Sequence, residues 1–278
     1  MKSPKEISVN EKLITLTKEI IDLTDEKDFL PLKVMELLID DEEIQNIQDY
    51  ANTVSIVRLG YNDHGPVHMR TVCRNALKML KILYQAEVKT SLEKEQAGTF
   101  LDSVTAVMIA GFMHDFGMTV GRQDHELYSG IIAYNIINRI LDDVLPNKED
   151  LKRKTVIRSL AMEGIVGHMG NRKIHSLEAG IIQIADGCDM KKGRARIPME
   201  LNKTPSVGDI HKYSANSIEK VSIMAGQERP VRIEVNMSSD VGFFQIEEVL
   251  LQKINSSPAK NLVELFAGVE GKDLKKYL

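Results

Sequence analysis

Residues 101–115, LDSVTAVMIAGFMHD, are apolar on almost every side of a helix until they reach a histidine and an aspartate. A helix with no polar face belongs at the centre of a fold, enclosed by others. Leaving an imidazole and a carboxylate unpaired at its buried end would cost several kcal/mol. Any fold of this chain must therefore surround residues 101–113 and supply partners to His114 and Asp115.

Helical periodicity supplies the surrounding elements as far as about residue 190. EKLITLTKEIID places Leu13, Ile14, Leu16 and Ile20 near one face. The stretch 29–60 reads as two helices ending at Gly60, and HMRTVCRNALKMLKILYQA gathers Val72, Ala76, Met79, Leu80 and Leu83 on one stripe. Three further helices are expected in 126–145, 154–169 and 175–190, with Gly117, Pro146, Gly170 and Gly193 as punctuation. The character changes after GRARIPMELNKTPSVGD. IEKVSIMAG and RPVRIEVNMS suit strands joined by a turn at QERP, DVGFFQIEEVLLQKIN suits an amphipathic helix that Asp240 could cap, and AKNLVELFAGV suits a third strand. The expected fold is mainly α: a helical domain over 1–205, with N-terminal helices in 1–50 and a metal-binding core in 55–200, then a small β-β-α-β domain over 206–278.

Several imidazoles and carboxylates recur at the ends of these helices. His64 and His68 lie in YNDHGPVHMR, His125 opens RQDHELYSG, His168 closes AMEGIVGHM, and Asp186 interrupts the apolar GIIQIADGCDM. Taken singly, each is more simply read as a residue satisfied by backbone or water. Together they are harder to dismiss, because a bound cation would remove the cost of burying Asp115 and Asp186. Pro66 suggests that a helix begins between His64 and His68, and Asp189 lies one turn beyond Asp186.

The order His64, His114–Asp115, Asp186 resembles the HD superfamily of metal-dependent phosphohydrolases. His125 and His168 resemble the extra ligands of its two-metal members. IVGHMGNRKIHSLEAGIIQIADGCDMKKGR is similar to the corresponding region of bacterial HD hydrolases that cleave dinucleoside tetraphosphates. The likeness covers about residues 55–200. It implies an all-helical HD domain, His64, His114, Asp115, His125, His168 and Asp186 as metal ligands, and Asp115 as the residue shared between two ions. It departs from the family in HDFGMTVGR, where many members carry a lysine soon after the doublet; Arg122 is a substitute. The adjacent His–His pair and the GYP signature of the cyclic-dinucleotide-cleaving branch are missing, since Met169 follows His168.

Imidazole and carboxylate donors suit divalent Mn, Fe, Zn, Co or Ni, and Mg is also compatible with the carboxylates. Two such ions would provide a metal-activated hydroxide and neutralise a phosphoryl group. The implied reaction is cleavage of a phosphate ester or anhydride in a nucleotide or related small molecule. KKGRARIP follows Asp186 closely, so Lys192 and Arg194 are candidates for holding phosphate oxygens, beside Arg122; a solvated basic helix end is the competing account. His68 is a candidate for substrate contact. Two other functions remain open: a di-iron oxygenase of the same superfamily, and a regulatory module whose metal is structural.

The net charge of −4 gives no electrostatic reason to expect nucleic acid. The N-terminal sequence alternates charged and apolar residues, unlike a secretory signal, and AVMIAGFM is too short to span a bilayer. Cys73 and Cys188 form no CxxC pair. The expectation is a cytoplasmic enzyme, forming a homodimer by analogy with other small β-β-α-β units.

Overall fold

The computed structural model describes residues 2–190 and 214–278. The helices expected from periodicity are present. α1 (Pro4–Asp22) opens with a capping box in which Ser3 and Glu6 satisfy each other's backbone N–H groups. α2 (Leu30–Asp40) and α3 (Glu42–Thr53) follow, and the chain leaves α3 through a π-helical turn at Val54–Arg58. α4 (Pro66–Gln85) starts with proline at its first position, where the missing N–H has no helical partner to lose. A short α5 (Ser91–Lys94), which periodicity does not signal, precedes α6 (Phe100–Met113). α7 (His125–Val144), α8 (Leu151–Gly167) and α9 (Leu177–Gly187) complete the helical part.

α6 is the axis of the fold. Every one of its residues is buried, and α2, α4, α8 and α9 pack around it. The helix packed most extensively against it, α4, is fixed at its N-terminal end by Arg70, which is fully buried. The Arg70 guanidinium donates to Asn10 Oδ1 at 2.9 Å, to Gln45 Oε1 at 2.9 Å and to Gln48 Oε1. Gln48 in turn donates to the Phe112 carbonyl at 2.8 Å. This network joins α1, α3 and α4 to the last turn of α6, where a buried charge would otherwise be prohibitive.

The C-terminal part contains a sheet in the order β1 (Ile218–Ala225), β2 (Val231–Met237), β3 (Val263–Val269) and β4 (Lys275–Lys276). β1 and β2 are antiparallel, β2 and β3 parallel, and β3 and β4 antiparallel. The alternation in β2 buries Val231, Ile233, Val235 and Met237. A helical crossover joins β2 to β3: α10 (Gly242–Gln245), a π-helical turn (Ile246–Leu250) and α11 (Leu251–Ser256). The expected β-β-α-β order is present, with β4 as an addition. Asp240 does not cap this crossover with its side chain. The cap position is Val241, and Asp240 Oδ1 lies 3.6 Å from Lys272 Nζ instead.

The β1–β2 turn is held by Glu264, only 1% exposed. Its carboxylate accepts from the backbone N–H groups of Gln227 (3.1 Å), Glu228 (3.0 Å) and Arg229 (3.4 Å). Burial pushes this carboxyl up, but the three N–H groups and Arg232 outweigh it and the net shift is downward. A carboxyl lowered on folding contributes stability above its unfolded pKa and loses that contribution as pH falls through the folded value. Glu264→Gln is expected to cost about 1–3 kcal/mol at neutral pH, because an amide cannot accept at both ends. Urea unfolding from neutral to acidic pH should show the wild type losing part of this margin on acidification and the variant losing less.

Candidate metal centre

Five helix ends meet at one place. His68 lies in the first turn of α4, His114 caps the C-terminus of α6, and His125 is the first residue of α7. His168 caps α8, and Asp186 is the penultimate residue of α9. Asp115 leads into a 3₁₀ turn at Phe116–Thr119. That turn must pass hard against α7: a Cβ on Gly117 would lie 1.9 Å from the His125 carbonyl oxygen. Gly117 N–H donates to Ser129 Oγ at 2.8 Å, and Asp124 adopts φ +53° immediately before His125. The chain therefore turns tightly between Asp115 and His125 and brings both side chains to one point.

Asp115 joins two groups of donors. Its Oδ2 lies 3.2 Å from His68 Nε2 and 3.4 Å from His114 Nε2. His68 Nε2 is also 3.2 Å from His114 Nε2 and 3.2 Å from Asp186 Oδ1. Asp115 Oδ1 lies 3.2 Å from His125 Nε2 and 3.4 Å from His168 Nε2, and these two nitrogens are 3.2 Å apart. Ligand atoms of His68, His114 and Asp186, and of His114, Asp115 and His168, are close enough to hold a metal ion.

The orientation of the rings shows that these donors suit a cation. His114 Nδ1 is 3.0 Å from the Gly111 carbonyl, His125 Nδ1 is 2.9 Å from that of Arg122, and His168 Nδ1 is 2.7 Å from that of Ile165. His68 Nδ1 is 2.8 Å from Asp189 Oδ2. Carbonyls and carboxylates only accept, so each Nδ1 carries a proton, and the ring in its metal-binding form turns an Nε2 lone pair inward. In that form the inward face consists of lone pairs and carboxylate oxygens, which repel one another unless a positive charge lies among them. Two nitrogens bound to one ion at about 2.1 Å would be roughly 3.0–3.4 Å apart, matching the spacing of both imidazole pairs.

Positive and hydrogen-bonding neighbours keep both carboxyls ionised, the form that binds a cation. Burial pushes the Asp115 carboxyl up, but His114, His64 and His125 hold it well below the usual carboxylate range. For Asp186, burial is likewise outweighed by Lys253, His68 and His114. Burial lowers His168 to about 4, leaving it a neutral imidazole at neutral pH, the form that ligates metals.

The structure thus brings together His114, Asp115, His125, His168 and Asp186. His68, expected to touch substrate, has its Nε2 among the donors. His64, expected as a ligand, lies outside α4 with Nδ1 2.6 Å from the Asn62 carbonyl and 2.8 Å from Ser55 Oγ; its ring centroid is 5.7 Å from that of His68. Arg122 is half-buried, with Nη2 3.9 Å from Met169 Sδ, and its carbonyl orients His125. Lys192 and Arg194 lie outside the described residues. Two contributors were not anticipated. Glu126 Oε2 stands 3.4 Å from His125 Nδ1, and Lys253 of α11 pairs with Asp186.

The chain is 39% identical over 241 residues to the uncharacterized protein MJ1020 of Methanocaldococcus jannaschii, a match covering 87% of this chain and 90% of the archaeal one. The chain belongs to the family of that protein. No family model matches it, and neither does any solved structure. Among the described residues, no helix is long and apolar enough to cross a membrane.

His68 and His64 can be told apart by their effect on bound metal. His68→Ala is expected to lower cation affinity by roughly tenfold to a hundredfold or more, as loss of a converging donor should. His64→Ala should change it much less. Titration of chelator-stripped protein with Mn²⁺ reads both, and the reverse ranking would return the ligand role to His64.

Proposed function

We propose that this protein is a metal-dependent phosphohydrolase of the HD superfamily, acting on a phosphate ester or anhydride of a nucleotide or related small molecule. The observation that carries the reading is Asp115, whose two oxygens face two separate imidazole pairs in a buried pocket. His68, His114, Asp186 and Asp115 Oδ2 would hold one divalent ion, and His125, His168 and Asp115 Oδ1 a second. Ions bound there would supply an activated water as nucleophile and neutralise charge on the phosphoryl group.

The chain's own residues prepare this chemistry. Asp189 and the carbonyls of Gly111, Arg122 and Ile165 keep the imidazoles in the ligating tautomer. The two cysteines are buried, with both thiols pushed up by burial, so neither suits a nucleophilic role. Arg122 and Arg194, whose guanidinium groups can each bind two oxygens at once, are assigned to the phosphate together with the point charge of Lys192. A phosphorylated small-molecule substrate and a cytoplasmic location accompany this reading.

The same donors suit iron, so oxygen chemistry is the alternative to be tested. Elemental analysis of protein purified without chelator should find about two metal equivalents per chain. A phosphate-release screen over nucleotides should find activity that needs metal, proceeds anaerobically and falls roughly a hundredfold or more in Asp115→Ala. Two irons, oxygen consumption and no hydrolysis would replace this reading with an oxygenase. No metal under any loading condition would overturn both.

A further inference from the structure

Lys253 comes from the C-terminal crossover, yet its ammonium lies at the metal centre. It pairs with Asp186 Oδ2 and donates to the His168 carbonyl at 2.9 Å. The residue is only 8% exposed. Burying an ammonium this deeply is costly unless the partner is fixed and the geometry good. The partner's other oxygen, Oδ1, is the one 3.2 Å from His68 Nε2.

α9 is shaped to let α11 come this close. Gly180, Gln183 and Gly187 recur at helical spacing along one side of it. A Cβ on Gly180 would lie 2.5 Å from Ser257 Oγ, and one on Gly187 would lie 3.2 Å from Lys253 Cδ. Between them Gln183 Nε2 donates to the Lys253 carbonyl at 3.1 Å and to Ser256 Oγ at 2.6 Å. Ser257 Oγ donates to the Gly180 carbonyl at 3.1 Å. These contacts fix the backbone of Lys253 against the helix that carries Asp186.

We propose that Lys253 is a positioning residue of the metal centre: it holds Asp186 Oδ2 so that Oδ1 alone faces the donors, and it ties His168 to the same point through its carbonyl. This inference rests on the metal-centre reading above. The C-terminal α+β part is then a component of the site. An ammonium beside cations is repulsive in itself. Without it, however, Asp186 Oδ2 would be a buried oxygen without its donor, and the carboxylate would turn to satisfy it. Groups that orient a ligand in this way usually matter by tenfold or more in metal affinity.

The test is titration of chelator-stripped full-length protein with Co²⁺, read by calorimetry and by the visible spectrum of the bound ion. The variants are Lys253→Met, which keeps the buried stem without the charge, and Lys253→Arg. Lys253→Met should bind one Co²⁺ equivalent about tenfold or more weakly and alter its spectrum, and Lys253→Arg should recover most of the loss. Gly180→Ala is the second route, since it pushes the 257–259 segment off α9 without touching Lys253 or a ligand; the same weakening is expected. Circular dichroism reports whether each variant is folded. If the wild type binds two ions and folded Lys253→Met and Gly180→Ala bind them equally well with unchanged spectra, the role assigned to Lys253 is wrong. If the wild type binds none, the metal-centre reading itself falls, and this inference with it.

Discussion

The carboxylate of Asp115 is the constraint around which this molecule is arranged. It is buried at the end of a helix with no polar side, between two pairs of imidazoles. With the Nδ1 protons directed outward, positive charge among the inward nitrogens is what satisfies it there. The rings are aimed by a repeated device. His114, His125 and His168 each donate from Nδ1 to the carbonyl three residues earlier. For His114 and His168 that carbonyl belongs to the last turn of a helix, where it has no intrahelical partner. One hydrogen bond therefore satisfies an orphan carbonyl and turns a lone pair inward.

Helix packing follows from the same requirement. The candidate donors lie at the N-terminal ends of α4 and α7 and the C-terminal ends of α6, α8 and α9. Bringing those ends together requires the helices to run in opposing directions around α6, and the apolar stripes provide the burial that holds them so. Local fit then sets the precision. Gly117 lets the 3₁₀ turn close on α7, and Arg70 holds the start of α4, two residues from His68. Neither residue is itself a candidate donor, but both limit how far His68, Asp115 and His125 could move.

Much of this could be read from the sequence because burial leaves a periodic trace. The helices around α6 and the β-β-α-β order were legible from spacing alone, and the doublet at 114–115 stood out as polar residues ending an apolar run. The placement of His64 and His68 was harder to read. They are four residues apart, and which of them enters the helix depends on Pro66. With proline at the first helical position, His68 falls within the first turn and points inward, while His64 stays in the preceding loop. Lys253 left no local signal at all. On an amphipathic helix a lysine reads as surface charge, and its partner Asp186 is 67 residues away. Only the tertiary approach of α11 to α9 reveals the pairing.

That approach bears on how the two parts of the chain are related. The C-terminal sheet lies against α4 and the crossover against α9, so this part contacts two of the helices that carry candidate donors. A match of 241 residues to the archaeal relative cannot be contained within the first 205, and it therefore runs into the C-terminal part. An appended module with an independent task would need only a linker and a surface of its own. Here the crossover instead sends a buried lysine into the centre, and the helix it meets carries glycines where the two backbones close. The cost of burying that ammonium is offset only if Asp186 is there to receive it. The small α+β part and the helical core therefore depend on each other at the same carboxylate.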